Sequence, residues 1–450
     1  MNLSEVRHIY FLGIGGIGMS ALARYFHRRG MHVSGYDKTP SDLTRALESE
    51  GMSVHYEDVP EQLPLDIDLV VLTPAIPKDH REWAALRDKN IPIKKRAEVL
   101  GMISRDAVCL AVAGTHGKTT TTTLLAHLLR SGGIDCNAFL GGIAVNYGTN
   151  YLSGSSDIVV VEADEYDRSF LQLNPTGLIV TAIDPDHLDI YGDAASMRNT
   201  YEDFIHQVQA NGTLIIREGL NLKLGEGSSI HATTYGWKNT PNRIENVRVQ
   251  DGFFVFDYHG EKASMKDLWF AMPGRHNAEN ATAAISLALA FGAKEEGVRE
   301  GLKNFKGIKR RFEFIVRNEN QVLIDDYAHH PEELKAAISA AKELYPNKKI
   351  TGVFQPHLFS RTRDFEDGFA ESLSMLDELV LLDIYPAREL PIDGVSSGRL
   401  LEKIKCPKQQ LLSKDAAVEY LVAEKPEVLL VLGAGDIDRL VEPIRKGWMS

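Results

Sequence analysis

Twice this chain leaves an apolar run through glycines straight into a helix-like stretch, at Gly13-Ile14-Gly15-Gly16-Ile17-Gly18 and at Gly114-Thr115-His116-Gly117-Lys118-Thr119-Thr120. A turn of this kind hands a buried strand over to a crossover helix, so each one commits the chain to the opening βα unit of an α/β layer. Further apolar runs, among them "DLVVLTP", "DIVVVEADE", "TGLIVTAID", "KITGVFQP", "ELVLLDIYP" and "EVLLVLGAG", alternate with amphipathic segments. That alternation predicts parallel sheets covered on both faces. At 450 residues the chain exceeds one hydrophobic core, and three α/β domains are expected, divided at 1–106, 107–309 and 310–450. Between Gly212 and Trp269 the pattern changes to short alternating runs such as "RIENVRVQDGFFVFDYHGEKA". These read as a small antiparallel addition to the second domain.

Charge and cysteine usage exclude several classes of function. A formal net charge of −12 and a pI near 5.7 argue against a nucleic-acid or anionic-membrane protein, which would need basic excess to neutralise phosphates. Phosphate sites, if present, must be local. Three scattered cysteines, Cys109, Cys136 and Cys406, fit a reducing compartment rather than a disulfide framework. The apolar stretch from Ile9 to Ile17 is interrupted by glycines and lacks a cleavage site, and no run is long enough to span a bilayer. A cytoplasmic enzyme without membrane insertion is expected.

In the first loop, Gly13, Gly15, Gly16, Ile17 and Gly18 allow a tight turn and a close approach of backbone to a diphosphate at the helix N-terminus. Asp37 ends the next strand, where a ribose contact would lie. NAD, FAD, another diphosphate nucleotide and a purely structural turn all fit this pattern. The second loop is more specific. Its backbone amides and Lys118 would hold the β- and γ-phosphates, and the Thr119 hydroxyl would coordinate magnesium. Two residues separate Gly114 from Gly117, against four in the strict GxxxxGK[ST] pattern.

Further along, "DIVVVEADEYDRSF" ends a buried run with Glu162, Asp164 and Glu165, and the next run ends in "IDPDHLDIYG". Hard oxygen donors at the carboxyl edge of a sheet beside a phosphate loop suit magnesium-ATP. Glu162 is the leading candidate ligand; His187 is either a second ligand or a structural histidine. On the alanine-rich helix of "GRHNAENATAA", Asn277 and Asn280 share one face and could read a base edge or cap the helix. In "DDYAHHPEE" two aspartates, the first of them Asp325, end a strand and Pro331 suits a helix start, so His329 and His330 are either functional or capping. Arg361 and Arg363, leaving a strand into a loop, could clamp a carboxylate or phosphate.

Taken in order, "GIGGIGMS", "GTHGKTTTT", "EADEYDRSF", "DHLDIYG", "GRHNAENATAA", "DDYAHHPEE", "FQPHLFSRTRDF" and "DIYPARE" closely resemble the Mur ligases across nearly the whole chain. The resemblance implies an N-terminal Rossmann-like domain for the UDP of the substrate, a central P-loop ATPase domain and a C-terminal Rossmann-like domain that closes over the site. It is strongest to members that join L-alanine to the lactyl carboxylate of UDP-N-acetylmuramate with ATP and Mg2+, in peptidoglycan precursor synthesis. It implies that Lys118 and Thr119 hold the triphosphate and its magnesium, that Glu162 and His187 serve the metals, and that His276, Asn277 and Asn280 lie at the adenine end. Arg311 resembles a linker arginine near the γ-phosphate. Asp325, His329, His330 and Arg361 resemble residues that meet ribose, phosphates or the incoming amino acid.

Two departures from the family pattern stand out. The chain has Pro356-His357-Leu358-Phe359 where many alanine-adding members read "PHRY", and no lysine occurs between Leu188 and His206. The second departure argues against members acting later in the series, which carry a carbamylated lysine there. The rival readings are a recycling ligase that adds a preformed tripeptide, suggested by "GGIAVNYGTN", an NAD-dependent dehydrogenase, and a nucleotide switch. A monomer or homodimer is expected.

Overall fold

The computed structural model describes residues 3–184, 188–225, 227–387 and 389–449. It forms two compact units: Met1–Glu245 with Asp257–Leu268 and Glu279–Lys303, and Asn246–Phe256 with Trp269–Ala278 and Asn304–Ser450.

In the first unit, β1 (His8–Leu12), β2 (His32–Tyr36), β3 (Ser53–His55), β4 (Leu69–Leu72) and β5 (Ile93–Lys95) make a five-stranded sheet in the order β3-β2-β1-β4-β5. All its pairings are parallel. The strand order reverses direction at β1, whose five residues are all buried, and Gly13 follows its carboxyl end. Ligands of open α/β sheets bind at such a reversal.

The second sheet comprises β6 (Val108–Ala113), β7 (Asn137–Ala144), β8 (Thr149–Leu152), β9 (Ile158–Ala163), β10 (Gly177–Val180), β11 (Thr213–Arg217), β12 (His231–Gly236), β13 (Asn242–Gln250), β14 (Phe253–His259) and β15 (Ser264–Phe270). Its order is β15-β14-β13-β12-β11-β10-β6-β9-β7-β8. Here too the first strand, β6, sits between neighbours on both sides and ends at the second glycine loop.

The stretch expected to be an antiparallel addition belongs to this same sheet. β11 and β12 extend it in parallel, because "TLIIR" is a buried run that needs a crossover. The hairpin character begins only with β13 and β14, adjacent strands joined by Asp251 and Gly252 with φ of 51° and 76°, the two-residue turn that antiparallel neighbours use. An antiparallel pair also lies at the other end, between β7 and β8.

Within this unit the helix Ile17–Arg28 is buried on two sides. Leu22 and Phe26 join the five-stranded sheet's core, while the Tyr25 ring lies 5.2 Å from Phe139 of β7 and 6.0 Å from Tyr151 of β8. Buried Asn150 pins the same surface. Its Nδ2 donates to Ile17 O (2.5 Å) and Ser20 Oγ (2.9 Å), and its Oδ1 accepts from Arg24 (2.5 Å). Each large apolar side chain buried here contributes roughly 1.5–3 kcal/mol. The first glycine loop is thereby anchored to the sheet that carries the second.

The second unit holds a six-stranded sheet of β16 (Glu313–Arg317), β17 (Val322–Asp326), β18 (Ile350–Phe354), β19 (Glu378–Leu381), β20 (Lys408–Leu411) and β21 (Val428–Leu432), ordered β16-β17-β21-β18-β19-β20. Only the β16–β17 pairing is antiparallel. Apolar clusters cover both faces of this sheet. Among the described residues no helix is long and apolar enough to cross a membrane.

Candidate active site

At the end of β6 the backbone turns through Gly114 (φ 141°) and Gly117 (φ 78°), conformations that disfavour any side chain. Gly117 caps the helix Lys118–Ser131 and offers no capping side chain, which leaves first-turn amides for an anion. Neighbouring groups brace the loop. Thr181 Oγ1 donates to His116 O (2.5 Å), Thr115 Oγ1 accepts from Asp184 N (3.0 Å), and His116 Nε2 lies 3.8 Å from Asp184. Thr120 is buried in the helix. A Cβ on Gly117 would come within 2.7 Å of Asn280 Nδ2, so the Asn280 amide abuts the phosphate turn.

Lys118 Nζ donates to Gly114 O (2.7 Å) and to Glu165 (2.8 Å). Glu165 is buried, and burial pushes its carboxyl above the ordinary range while Lys118 pulls it back. The ammonium is thus held at the mouth of the turn by a carboxylate that phosphate oxygens can replace. Beside it the Thr119 hydroxyl donates to Glu162 Oε1 at 3.0 Å. Glu162 is on β9, level with Val112 of the adjacent β6, and Gly141 of β7 makes room for its carboxylate, which a Cβ there would strike. A hydroxyl and a carboxylate converging at the phosphate loop fit the hard-oxygen donor set that magnesium requires. His187, the other expected metal residue, lies outside the described residues.

At the first loop Gly13 N and Ile14 N donate to Tyr36 O (2.8 and 3.0 Å), and Gly15 N donates to Asp37 Oδ2 (2.8 Å). Asp37 Oδ1 also accepts from Thr39 N (3.1 Å), so both carboxylate oxygens brace the turn. Gly16 caps the helix Ile17–Arg28 without a side-chain bond. Sequence reading overlooked Arg96. Its side chain lies against Gly18, 2.9 Å from where a Cβ would stand, and its guanidinium is 3.5 Å from Asp164. Only the fold reveals that cation beside the loop.

The asparagines three apart have separate tasks. Asn277 Nδ2 donates to Pro273 O (2.6 Å), a bond to the carbonyl before the helix rather than a cap of its amides, whereas Asn280 meets the Gly117 turn. His276 is exposed at the start of the helix Arg275–Ala290.

The remaining candidates gather at the carboxyl edge of the third sheet. Asp325 is buried 3.6 Å from Arg310, and burial raises its carboxyl to about 7 although Arg310 opposes the shift. The Arg311 guanidinium lies 5.4 Å from the Tyr327 ring centroid and 3.8 Å from Glu333. His329 Nδ1 sits 3.0 Å from Tyr327 O and 3.1 Å from Glu333. Burial works against ionising Glu333, yet His329 and Arg311 hold it well below the usual carboxylate range. His330 caps the helix Pro331–Leu344 through its ring, as the capping alternative allowed. Arg361 and Arg363 are on a short helix, Phe359–Asp364, rather than a loop. Arg361 approaches His357 Nδ1 (3.4 Å), while exposed Arg363 pairs with Asp364 (2.7 Å). Burial and the Arg361 charge lower the His357 imidazole to about 4. Its ring stacks on Tyr385, 5.6 Å between centroids.

Comparison with known proteins gives three consecutive matches. Residues 8–107 match the Mur ligase family catalytic domain, 112–288 the Mur ligase middle domain, and 310–435 the Mur ligase glutamate ligase domain. The chain is 48% identical to UDP-N-acetylmuramate–L-alanine ligase of Flavobacterium psychrophilum, over 99% of both chains. It is 49% identical to the enzyme of that name from Porphyromonas gingivalis, over 98% of this chain and 99% of that one. Among solved structures, UDP-N-acetylmuramate-alanine ligase from Thermotoga maritima superposes with a TM-score of 0.84 at 30% identity, covering 98% of this chain and 99% of that one. A murein peptide ligase from Psychrobacter arcticus gives 0.70 at 23% identity, over 98% of both chains, a likeness of fold.

Proposed function

The chain belongs to the Mur ligase family, and from that premise we propose that it uses ATP to join L-alanine to the lactyl carboxylate of UDP-N-acetylmuramate, as peptidoglycan precursor synthesis requires. The observation that carries this reading is the phosphate loop itself. Lys118 stands at its mouth, and the Thr119 hydroxyl meets Glu162, in a chain nearly half identical over its full length to ligases of that name. The dehydrogenase reading accounts for neither feature, and the nucleotide-switch reading does not account for the likeness to those ligases.

In the proposed reaction a carboxylate oxygen of the UDP-sugar attacks the γ-phosphorus in line, and ADP leaves. The amine of alanine then attacks the acyl phosphate carbon, loses a proton and expels phosphate, so no covalent enzyme intermediate forms. Positioning and charge neutralisation supply most of the catalysis. We assign the phosphate cradle to Gly114, Thr115, His116, Gly117, Lys118, Thr119 and Thr120, supported by the amides at the helix start and by the Lys118 ammonium. Thr119 and Glu162 would hold magnesium, with His187 assigned by family likeness; once bound, the ion neutralises triphosphate charge. Asn280 is assigned to the nucleotide because it abuts Gly117, and His276 and Asn277 are assigned to the adenine end.

The first loop, Gly13 to Gly18 with Asp37, is assigned to the UDP-sugar, and Arg96 adds the cation that the loop lacks. Arg311, Asp325, His329, His330, Arg361 and Arg363 are assigned to the γ-phosphate, ribose and amino-acid ends. The polar cluster at the carboxyl edge of the third sheet supports all of them except Arg363, whose charge Asp364 already neutralises. We place the domain boundaries at 106/107 and 309/310 and the enzyme in the cytoplasm, as a monomer or homodimer.

Phosphate release tests the proposal. It is expected to require UDP-N-acetylmuramate and L-alanine together. Release triggered by the tripeptide and indifferent to alanine would move the chain to the recycling reaction.

A further inference from the structure

A second group of donors lies at the opposite edge of the N-terminal sheet from its glycine loop. His8 and His32 are the first residues of β1 and β2 and are direct partners in parallel register, so both side chains leave the sheet on one face. Their ring centroids are 4.1 Å apart. Asp66, just before β4 on the other side of β1, brings its Oδ1 to 3.0 Å from His8 Nδ1. One ligand atom from each of the three residues falls within 4.8 Å of the others.

The supporting bonds fix the geometry. His8 is buried, and its Nε2 lies 2.8 Å from buried Ser34 Oγ. When a cation takes the place of the Asp66 hydrogen bond, a proton on Nε2 donated to that hydroxyl leaves the Nδ1 lone pair for the ion. Metal-binding histidines are held in this way, with the other ring nitrogen bonded to a fixed partner. Asp68 accepts from the backbone amides of Arg7 (2.7 Å) and His8 (2.9 Å), which locks the strand start. The Asp66 side chain is exposed, as is that of His32, and both can shift by the small amount coordination needs.

We propose that His8, His32 and Asp66 form a binding site for a borderline divalent cation of the zinc class. Two imidazoles and one carboxylate suit zinc, nickel or copper and disfavour magnesium, and water completes a tetrahedron. The five residues of β1 separate the site from the glycine loop by roughly 16 Å, so the ion ties together the starts of β2, β1 and the segment entering β4 and takes no part in phosphoryl transfer. Binding to the folded chain alone stabilises it by mass action.

The test titrates zinc alone into the chelator-stripped full-length chain, against a chromophoric competitor and with magnesium in excess to fill oxygen sites. One equivalent is expected to bind the wild type and raise its melting temperature. His32→Ala and Asp66→Asn change exposed residues and are expected to keep the fold and the zinc-free ligase rate while losing that equivalent. Ser34→Ala is expected to weaken binding by about ten- to a hundredfold. Cobalt in place of zinc gives tetrahedral visible absorption only where His32 is present. Equal zinc affinity in the His32→Ala/Asp66→Asn double variant, or no stoichiometric binding by the wild type at micromolar zinc, overturns the proposal.

Discussion

At the ends of β1 and β6 the chain makes the same move, from a buried strand through glycines into a helix capped by a glycine without a side-chain bond. What surrounds the two turns differs. The first is closed by its own neighbours: Gly13 and Ile14 amides on Tyr36 O, and the Gly15 amide on Asp37, with Arg96 approaching from outside the loop. The second carries Lys118 and Thr119 inside the turn and faces Glu162 and Glu165 from the strand alongside. Glycines shape both turns, but only the second has a lysine and a hydroxyl at the helix start with carboxylates opposite them. The comparison predicts a division of labour, recognition at the first turn and chemistry at the second.

The sharpest way to break that division is Lys118→Ala. Loss of a charge aimed at the transferred phosphate is expected to lower turnover by about a thousandfold or more, while the affinity for UDP-N-acetylmuramate, measured calorimetrically without ATP, stays unchanged. A large drop in UDP-sugar affinity would join the two loops into one binding unit. Glu162→Gln comes next. It keeps the size and the contact with Thr119 but removes the anionic donor, and about a hundredfold loss of rate is expected, partly recovered at high magnesium. A magnesium dependence identical to wild type would remove Glu162 from the metal site.

Much of this was legible in the sequence, and the reason is physical. Local order announces the two turns, since strand, glycines and helix follow one another within a dozen or so residues, and the acid at the end of β9 follows from a buried run that stops at Glu162. Other features depend on contacts far apart in the chain. Arg96 meets Gly18, Asn150 meets Ile17 and Ser20, and Glu165 meets Lys118; no periodicity encodes such pairs. Between Gly212 and Trp269 the alternating pattern suggested hairpins throughout, but β11 and β12 run parallel to the sheet, because short buried runs look alike whichever direction their neighbour takes. For His330, capping and ligand contact place the same residue type at the same helix position, and only coordinates show the cap.

Gly15→Ala probes the first loop directly. An added Cβ would stand 2.7 Å from Thr44 Cγ2 and 2.8 Å from Asp37 Oδ2, so the turn must open and the Asp37 brace must shift. The expected cost is about 1.5–3 kcal/mol, read as about a ten- to hundredfold weaker affinity for the UDP-sugar. Turnover at saturating UDP-sugar is expected to stay near wild type. A fall in kcat matching the fall in affinity would mean that the first loop also shapes the transition state.

Asp37→Asn is the mildest of the four substitutions and distinguishes two roles for one carboxylate. Each Asp37 oxygen already accepts a backbone amide, Oδ2 from Gly15 and Oδ1 from Thr39. A carboxylate retains further lone pairs, so a ribose hydroxyl can still donate to it. Asparagine keeps one acceptor and turns the other into a donor, which must face either the Thr39 amide or the Gly15 amide. The turn therefore loses about one hydrogen bond, roughly 1 kcal/mol, and UDP-sugar affinity is expected to fall several-fold with kcat unchanged. If the ribose is held here, the loss is larger for the UDP-sugar than for a probe that presents only pyrophosphate. If Asp37 only braces the turn, the two ligands weaken equally. A gain in pyrophosphate affinity would mean that the Asp37 charge, next to the amides that receive the diphosphate, opposes the ligand more than it shapes the loop.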